Sequence, residues 1–257
     1  MPTHKYDSMK TNKDRVIGEL VADSYRAASV FKKYGIDFCC QGNRTIGDAC
    51  SQKNIDTNTV LNDLDNILRE QGETATDYNS WPIDLLADYI EKKHHRYVEE
   101  KILEIKPYLD KICRVHGARH PELFKIQEQF NASAGELAAH MKKEEFIVFP
   151  FVRKMMKAKQ EGLKINAPHF GTVQNPVAMM MDEHSVEGER FDQIADLSNN
   201  YTSPSDGCNT YKVTLALLKE FEEDLHLHIH LENNILFPKA IAMERELNET
   251  NYADHKG

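Results

Sequence analysis

Apolar residues recur along this chain with the period of an α-helix, and extended β-branched alternation is absent. Between residues 14 and 34, Val16, Ile17, Leu20, Val21, Ala27, Val30, Phe31 and Tyr34 keep helical spacing, which predicts one helix. The segment KYGIDFCCQGNRT, with Gly35 and Gly42, interrupts it. Thr45 then stands where a cap belongs, ahead of a short helix to about Gln52. A further helix over about 58–69 carries Val60, Leu61, Leu64, Ile67 and Leu68 on one stripe. The polar run EQGETATDYNS at 70–80 reads as a linker.

Four longer amphipathic helices follow. Ser80 and Pro82 signal the start of the first, which runs toward Val115 with a kink expected at Pro107. The second begins near Pro121 and passes Leu123, Phe130, Leu137, Met141 and Val148. Asn175-Pro176 opens the third, which reaches about Ser198. The fourth runs from Ser205–Asp206 to about Leu247, with a kink or break expected at Pro238. The connections at 116–121 and 199–206 are short, and that at 160–174 is longer. The pattern predicts an all-α protein: a small helical domain over 1–75, then an antiparallel up-down four-helix bundle over 76–257.

Composition narrows the function classes. The 257 residues are 40% hydrophobic and 28% charged, with a formal net charge of −9. An acidic chain without a clustered Lys/Arg face is a poor binder of nucleic acid or anionic membranes. The polar start MPTHKYDSMKTNKD lacks the apolar core of a signal peptide, and FIVFPFV at 146–152 is far too short to span a bilayer. Five cysteines without framework spacing fit a reducing compartment. The expected location is the cytoplasm.

One pattern carries chemistry. HMKKEEFIVFP (140–150) and HIHLENNILFP (228–238) share His, three residues, Glu, four residues, Phe-Pro. Positions i and i+4 lie on one face of a helix, so His140 stands over Glu144 and His228 over Glu232. The other two long helices each hold a histidine in a matching place, His95 and His184. His95 to His140 is 45 residues and His184 to His228 is 44. Two hairpins of the same plan would gather four histidines and two carboxylates at the bundle centre. Two bridging carboxylates plus two imidazoles per metal describe a dinuclear site, with metals roughly 3.5–4 Å apart. Imidazole and carboxylate without thiolate disfavour structural zinc and suit iron or manganese, and the bundle setting favours iron. Six side chains for two metals leave room for an oxo or hydroxo bridge and an open position.

These motifs carry a family resemblance. HHRYV, ELAAHMKKEE, DEH and HIHLENNILFP resemble the haemerythrin-like domain of the RIC (repair of iron centres) proteins. KYGIDFCCQGNRTIGDAC resembles the cysteine-pair domain that precedes it in that family. The resemblance implies a bacterial non-haem diiron protein of nitrosative and oxidative stress that restores damaged iron–sulfur clusters by donating iron. It places the ligands on His95, His140, Glu144, His184, His228 and Glu232, and settles the choice between His94 and His95. Oxygen-carrying haemerythrins hold another histidine where this chain has Gly188, which argues against an O₂ carrier.

Other residues are open between two roles. Glu136, one turn before His140, and Glu183, beside His184, are candidates for supporting carboxylates or an access path. Cys39 and Cys40 are either small packing residues or a thiol pair for redox chemistry or iron transfer. Cys50, Cys113 and Cys208 read as structural, and His116 and His120 as loop residues. The alternatives to donation are an enzyme reducing NO at the diiron centre and a sensor binding O₂ or NO. The expected partners are iron–sulfur proteins as iron recipients and the small ligands NO or O₂, with a homodimer left open.

Overall fold

Ser24 ends the first helix among the described residues. In the computed structural model, which describes residues 11–69 and 76–253, α1 spans Ile17–Asp23 and α2 Ala27–Lys33. The single helix expected over 14–34 is therefore two. Ser24 is extended, with φ −153° and ψ 104°. A serine side chain competes for backbone groups better outside a helix than within one. The apolar spacing continues across the break, so periodicity alone does not reveal it. α3 (Ile46–Gln52) starts where expected: Thr45 Oγ1 accepts the Asp48 N–H at 3.1 Å and donates to the Asp48 carboxylate at 2.7 Å. α4 covers Thr57–Arg69. Helices this short draw their stability from packing; Ile17, Leu20, Phe31, Ile46, Val60 and Leu64 are all buried. Of the expected linker, 70–75 lie outside the described residues, and Tyr78–Ser80 forms one 3₁₀ turn capped by Asp77.

The chain forms two compact units, Met1–Trp81 with His230–Ile235, and Pro82–Ile229 with Leu236–Gly257. The second is a four-helix bundle. Its first helix is α5 (Ile83–Tyr89), a π-helical stretch at Ile90–His95, and α6 (Arg96–His116). The next is α7 (Glu122–Lys143), a π stretch at Glu144–Val148, and α8 (Phe149–Glu161). α9 (Gln174–Leu197) is unbroken. The last is α10 (Asn209–Leu231), a π stretch at Glu232–Leu236, and α11 (Phe237–Ala253). The short connections make consecutive helices antiparallel. Phe221 anchors the core, with Phe191 stacked on it at 5.5 Å and Phe130 edge-on at 5.4 Å. No strand occurs among the described residues beyond a single bridge between Val16 and Thr45. No helix there is long and apolar enough to cross a membrane.

The prolines behave differently from expectation. α6 runs through Pro107 without interruption. That residue faces solvent, where water can satisfy the carbonyl a proline leaves unbonded. At Pro238 the helix neither stops nor restarts from a loop. It widens into a π turn first, and Pro238 follows as the second residue of α11. Pro150 stands at the same place in α8.

Candidate metal centre

The repeated sentence HxxxE-x₄-FP is a way of inserting a π turn at the carboxylate. Both copies of the glutamate open one, at Glu144 and Glu232, and both copies of Phe-Pro resume the α-helix. In an α-helix a residue five positions on is rotated about 140° from the first. The wide turn instead bonds the Phe149 N–H to the Glu144 carbonyl. Phenylalanine thereby returns to the face that carries the glutamate. Its ring then packs on the lone histidine of its own hairpin. Phe149 stacks on His95, with centroids 5.5 Å apart and planes at 24°. Phe237 stacks on His184 at 6.1 Å and 5°. The third π stretch ends at His95. Such bulges recur at functional sites because they re-aim side chains.

The six residues converge as two overlapping groups. His95, Glu144, His228 and Glu232 form one, and His140, Glu144, His184 and Glu232 the other, each with ligand atoms mutually within 4.8 Å. All six are buried. Glu232 lies one turn beyond His228 in the same continuous helix and belongs to both groups, as does Glu144. The two oxygens of Glu144 divide their attention. Oε2 lies 3.3 Å from His95 Nε2, and Oε1 lies 3.3 Å from His140 Nε2. His140 Nε2 and His184 Nε2 face each other at 2.9 Å.

The backs of two rings fix their protons. His95 Nδ1 is 3.0 Å from Glu145 Oε1, and His140 Nδ1 is 2.7 Å from Glu183 Oε2. A carboxylate there holds the proton on Nδ1 and turns the Nε2 lone pair inward. Lone pairs of Nε2 then point at carboxylate oxygens, an arrangement that asks for cations between them. Two carboxylates buried among four imidazoles carry negative charge into a dry site, which is costly unless cations compensate it. The donor set fits two cations with hard-to-borderline preferences, and no thiolate stands among the six.

The supporting carboxylates are themselves paired. Burial pushes Glu145 up, but hydrogen bonds from Lys142 and His95 outweigh it and hold the carboxyl below its ordinary value. Glu183 is set in the same way: burial opposes, Lys143 and His140 prevail. Each group of four thus contains one histidine backed by a carboxylate. The repeat maps Glu145 onto Asn233 and Glu183 onto His94, so the other half of the plan has no carboxylate at either place. His94 Nδ1 meets Asp224 at 3.0 Å, and its ring stacks on His228 at 5.5 Å. His95 joins the converging set and His94 supports it from behind.

Comparison with known proteins places this geometry. The haemerythrin HHE cation-binding domain model matches residues 86–240, and a domain of unknown function (DUF542, ScdA_N) matches residues 13–68. An iron-sulfur cluster repair protein ScdA of Staphylococcus haemolyticus is 30% identical over 90% of this chain and 99% of its own length. An iron-sulfur cluster repair protein YtfE of Escherichia coli O81 is 32% identical over 90% of this chain and 99% of its own. The chain belongs to the RIC family. In this chain the haemerythrin-type cation-binding domain follows the ScdA_N domain.

Not every candidate reaches the site. Glu136 is exposed and pairs with Arg190 at 2.9 Å. The place in the interior at that level belongs to Glu187, which the sequence reading passed over. Glu187 is buried, takes a hydrogen bond from Ser133 at 2.6 Å and pairs with Arg190 at 3.1 Å. Burial raises its carboxyl, and Ser133 and Arg190 offset only part of that. It stands three residues after His184, a spacing that marks the same helix face.

Cys39 and Cys40 are free thiols with sulfurs 3.6 Å apart. Asp37 Oδ1 receives the backbone N–H of both, each at 2.9 Å, and the three residues form a further potential cation-binding group. The loop is held by side chains that follow Glu232 directly: Asn233 donates to the Cys39 carbonyl at 3.1 Å and Asn234 to the Phe38 carbonyl at 3.0 Å. His230 is buried against Tyr25 and Phe38. The hydrogen bond with Cys40 and burial push the Cys39 thiol well above its ordinary value.

Proposed function

We propose that the bundle binds two iron ions and that the protein restores iron–sulfur clusters damaged by nitrosative or oxidative stress by donating that iron. In this reading His95 and His228 serve one ion, and His140 and His184 the other. Glu144 and Glu232 bridge the pair, beside an oxo or hydroxo bridge. The single observation that carries the ligand set is the divided carboxylate of Glu144, each oxygen 3.3 Å from the Nε2 of a different histidine. The printed names of the ScdA and YtfE relatives support the repair role.

When bound, the irons supply redox chemistry and a transferable cargo. The chain's own residues do the rest. Glu145 and Glu183 accept hydrogen bonds at the outer ring nitrogens of His95 and His140 and so aim each Nε2 inward. Phe149 and Phe237 hold two of the rings in orientation and keep water from one side of the site. No thiolate contributes, so the ions are held less firmly than in a cysteine cage, as donation requires. The five free cysteines support a reducing compartment such as the cytoplasm.

The Asp37–Cys39–Cys40 group favours transfer over NO reduction or sensing, because it offers soft ligands through which an ion can pass to a thiolate-ligated recipient. The test compares iron transfer from purified protein to an apo iron–sulfur acceptor with turnover of NO to N₂O under a reductant. Transfer that outpaces release to a chelator supports donation. Catalytic N₂O formation with iron retained overturns it.

A further inference from the structure

The far end of the bundle carries a second cluster of reactive side chains that the metal centre does not use. His116 closes α6, 21 residues after His95, which is about 31 Å along a helix. Its Nε2 lies 3.2 Å from the sulfur of Cys208. His116 is only 6% exposed, and its Nδ1 is buried with no hydrogen-bond partner among the described residues. Among the described residues, the ring's hydrogen-bond partner is therefore the thiol. Cys208 itself is exposed. It stands immediately before α10, whose first residue is Asn209. The free N–H groups of that helix start, those of Thr210 and Tyr211, reach the sulfur. Imidazole, helix N-terminus and solvent access meet at one atom.

The surroundings do not oppose a negative sulfur. Asp206 is the nearest carboxylate of the connection, and it is occupied by Arg119 at 3.2 Å and His120 at 3.0 Å. Glu122, from the start of α7, pairs with the other nitrogen of His120 at 3.1 Å. Tyr211 sets its ring edge-on to both histidines, at 5.4 and 5.7 Å. Cys113 bonds to the Leu123 carbonyl at 3.4 Å, and burial pushes its thiol up to about 11. The hydrogen bond from His116, then that from the Tyr211 N–H, brings Cys208 down to about 7.

We propose that Cys208 and His116 form a thiolate–imidazole pair that exchanges with small-molecule disulfides, making Cys208 a reversible modification site. The thiol first loses its proton to solvent, and the neutral ring donates its Nε2–H to the sulfur that remains. That state also suits Nδ1, which needs no acceptor once it carries no proton. The thiolate attacks one sulfur of R–S–S–R. The new bond is Cys208–S–S–R, the old S–S bond breaks, and RS⁻ leaves with the electron pair and takes a proton from water. One disulfide replaces another, with no net oxidation.

The size of the effect selects the measurement. Against an ordinary thiol near 8.5, this one has roughly 16 times more thiolate at pH 7. The lower basicity returns about fivefold of that, for a Brønsted slope of about 0.45. The rate gain at pH 7 is thus only about threefold, so the midpoint of the pH–rate profile is the sharper readout. The experiment reacts the full-length, metal-loaded protein with an aromatic disulfide, 5,5′-dithiobis(2-nitrobenzoic acid), or with oxidised glutathione. Labelled sites are mapped by mass spectrometry across pH 5.5–9.5. Cys208 is expected to react first, with a midpoint about 1.5 units below that of the same chain unfolded in guanidinium. In His116→Gln the midpoint should move part of the way back toward that of the unfolded chain, because the Thr210 and Tyr211 N–H groups still face the sulfur. Cys208→Ser should remove the fast phase while helical content and metal content stay unchanged. If His116→Gln fails to fold, the native-against-unfolded comparison still decides. The proposal is overturned if the native midpoint equals the unfolded one, or if another cysteine supplies the fast phase.

Discussion

The ring of Phe237 lies parallel to that of His184, with planes 5° apart and centroids 6.1 Å apart. The contact exists because the π turn at Glu232 brings a residue five positions on back to the ligand face. Phe149 and His95 repeat it in the other hairpin. Replacing either phenylalanine by alanine should cost about 3–5 kcal/mol, the range for large-to-small changes in a packed core. It should also free the histidine to turn, so metal retention should fall more than in a similar change remote from the site, such as Phe130→Ala. Denaturant unfolding and metal analysis on the same samples check this. Equal metal loss in all three variants would mean that the stacking has no role beyond stability.

The shared carboxylates should matter more than any one histidine. Glu144 and Glu232 belong to both groups of four, whereas each histidine belongs to one. Glu144→Gln or Glu232→Gln keeps the volume but removes the bridging charge. Metal content should fall from about two per chain to one or less. The stabilisation that bound metal gives the folded state, about 4 kcal/mol at a thousandfold excess over Kd, should shrink with it. Thermal unfolding with and without a chelator reads this directly. An unchanged chelator shift in both variants would remove these residues from the ligand set.

Glu145 and Glu183 touch His95 and His140 and stand outside the two groups of four. Glu145→Gln and Glu183→Gln should therefore leave two ions bound at saturation but weaken affinity by about 10–100-fold, the usual effect of losing a group behind a ligating histidine. Competition with a chelator of known affinity measures it. The two variants should differ little from each other, because each supports one histidine of a different group.

How much of this was readable follows from what each feature depends on. The six converging residues lie at i, i+4 and in a repeat, both properties of spacing, so they were readable, except that the choice of His95 over His94 rests on the family resemblance. The π turns were not, because an i→i−5 bond leaves no mark on the residue order. Pro238 signalled an irregularity, and the irregularity is a widening instead of a break; Pro150 stands after the same widening in the other copy. Glu145 was hidden by its neighbour Glu144, since adjacent residues on a helix differ by about 100°. Only the proximity of α5–α6 gives that second direction a ligand to support. Glu136 was expected inward because it precedes His140 by one turn, but Arg190 draws it outward while Glu187 fills the interior. The break at Ser24 was hidden because apolar residues continue in register on either side of it.

The last prediction concerns the cysteine loop and its fastening. Gly18 leaves room that a side chain would fill: a Cβ there would meet Asn234 Oδ1 at 2.3 Å and the Gly42 carbonyl at 3.1 Å. Asn234 is the residue whose amide holds the Phe38 carbonyl, next to Cys39. Gly18→Ala should displace that amide and release the loop while leaving the rest of α1 helical. Cys39, now buried with a raised thiol pKa, should become accessible, and its alkylation by iodoacetamide should speed up several-fold. Cys39→Ser with Cys40→Ser tests the chemistry instead of the fastening. No cysteine stands among the six bundle residues, so the double variant should keep its iron and its diiron spectrum. Delivery to an apo-cluster acceptor should fall. Iron lost from the double variant would place the thiols at the metal, and undiminished delivery would return Cys39 and Cys40 to packing. Gly18→Ala separates these cases further, because it keeps both sulfurs and changes only how they are held. Delivery lost in Gly18→Ala with thiols intact would show that the transfer step needs the loop in place as well as its chemistry.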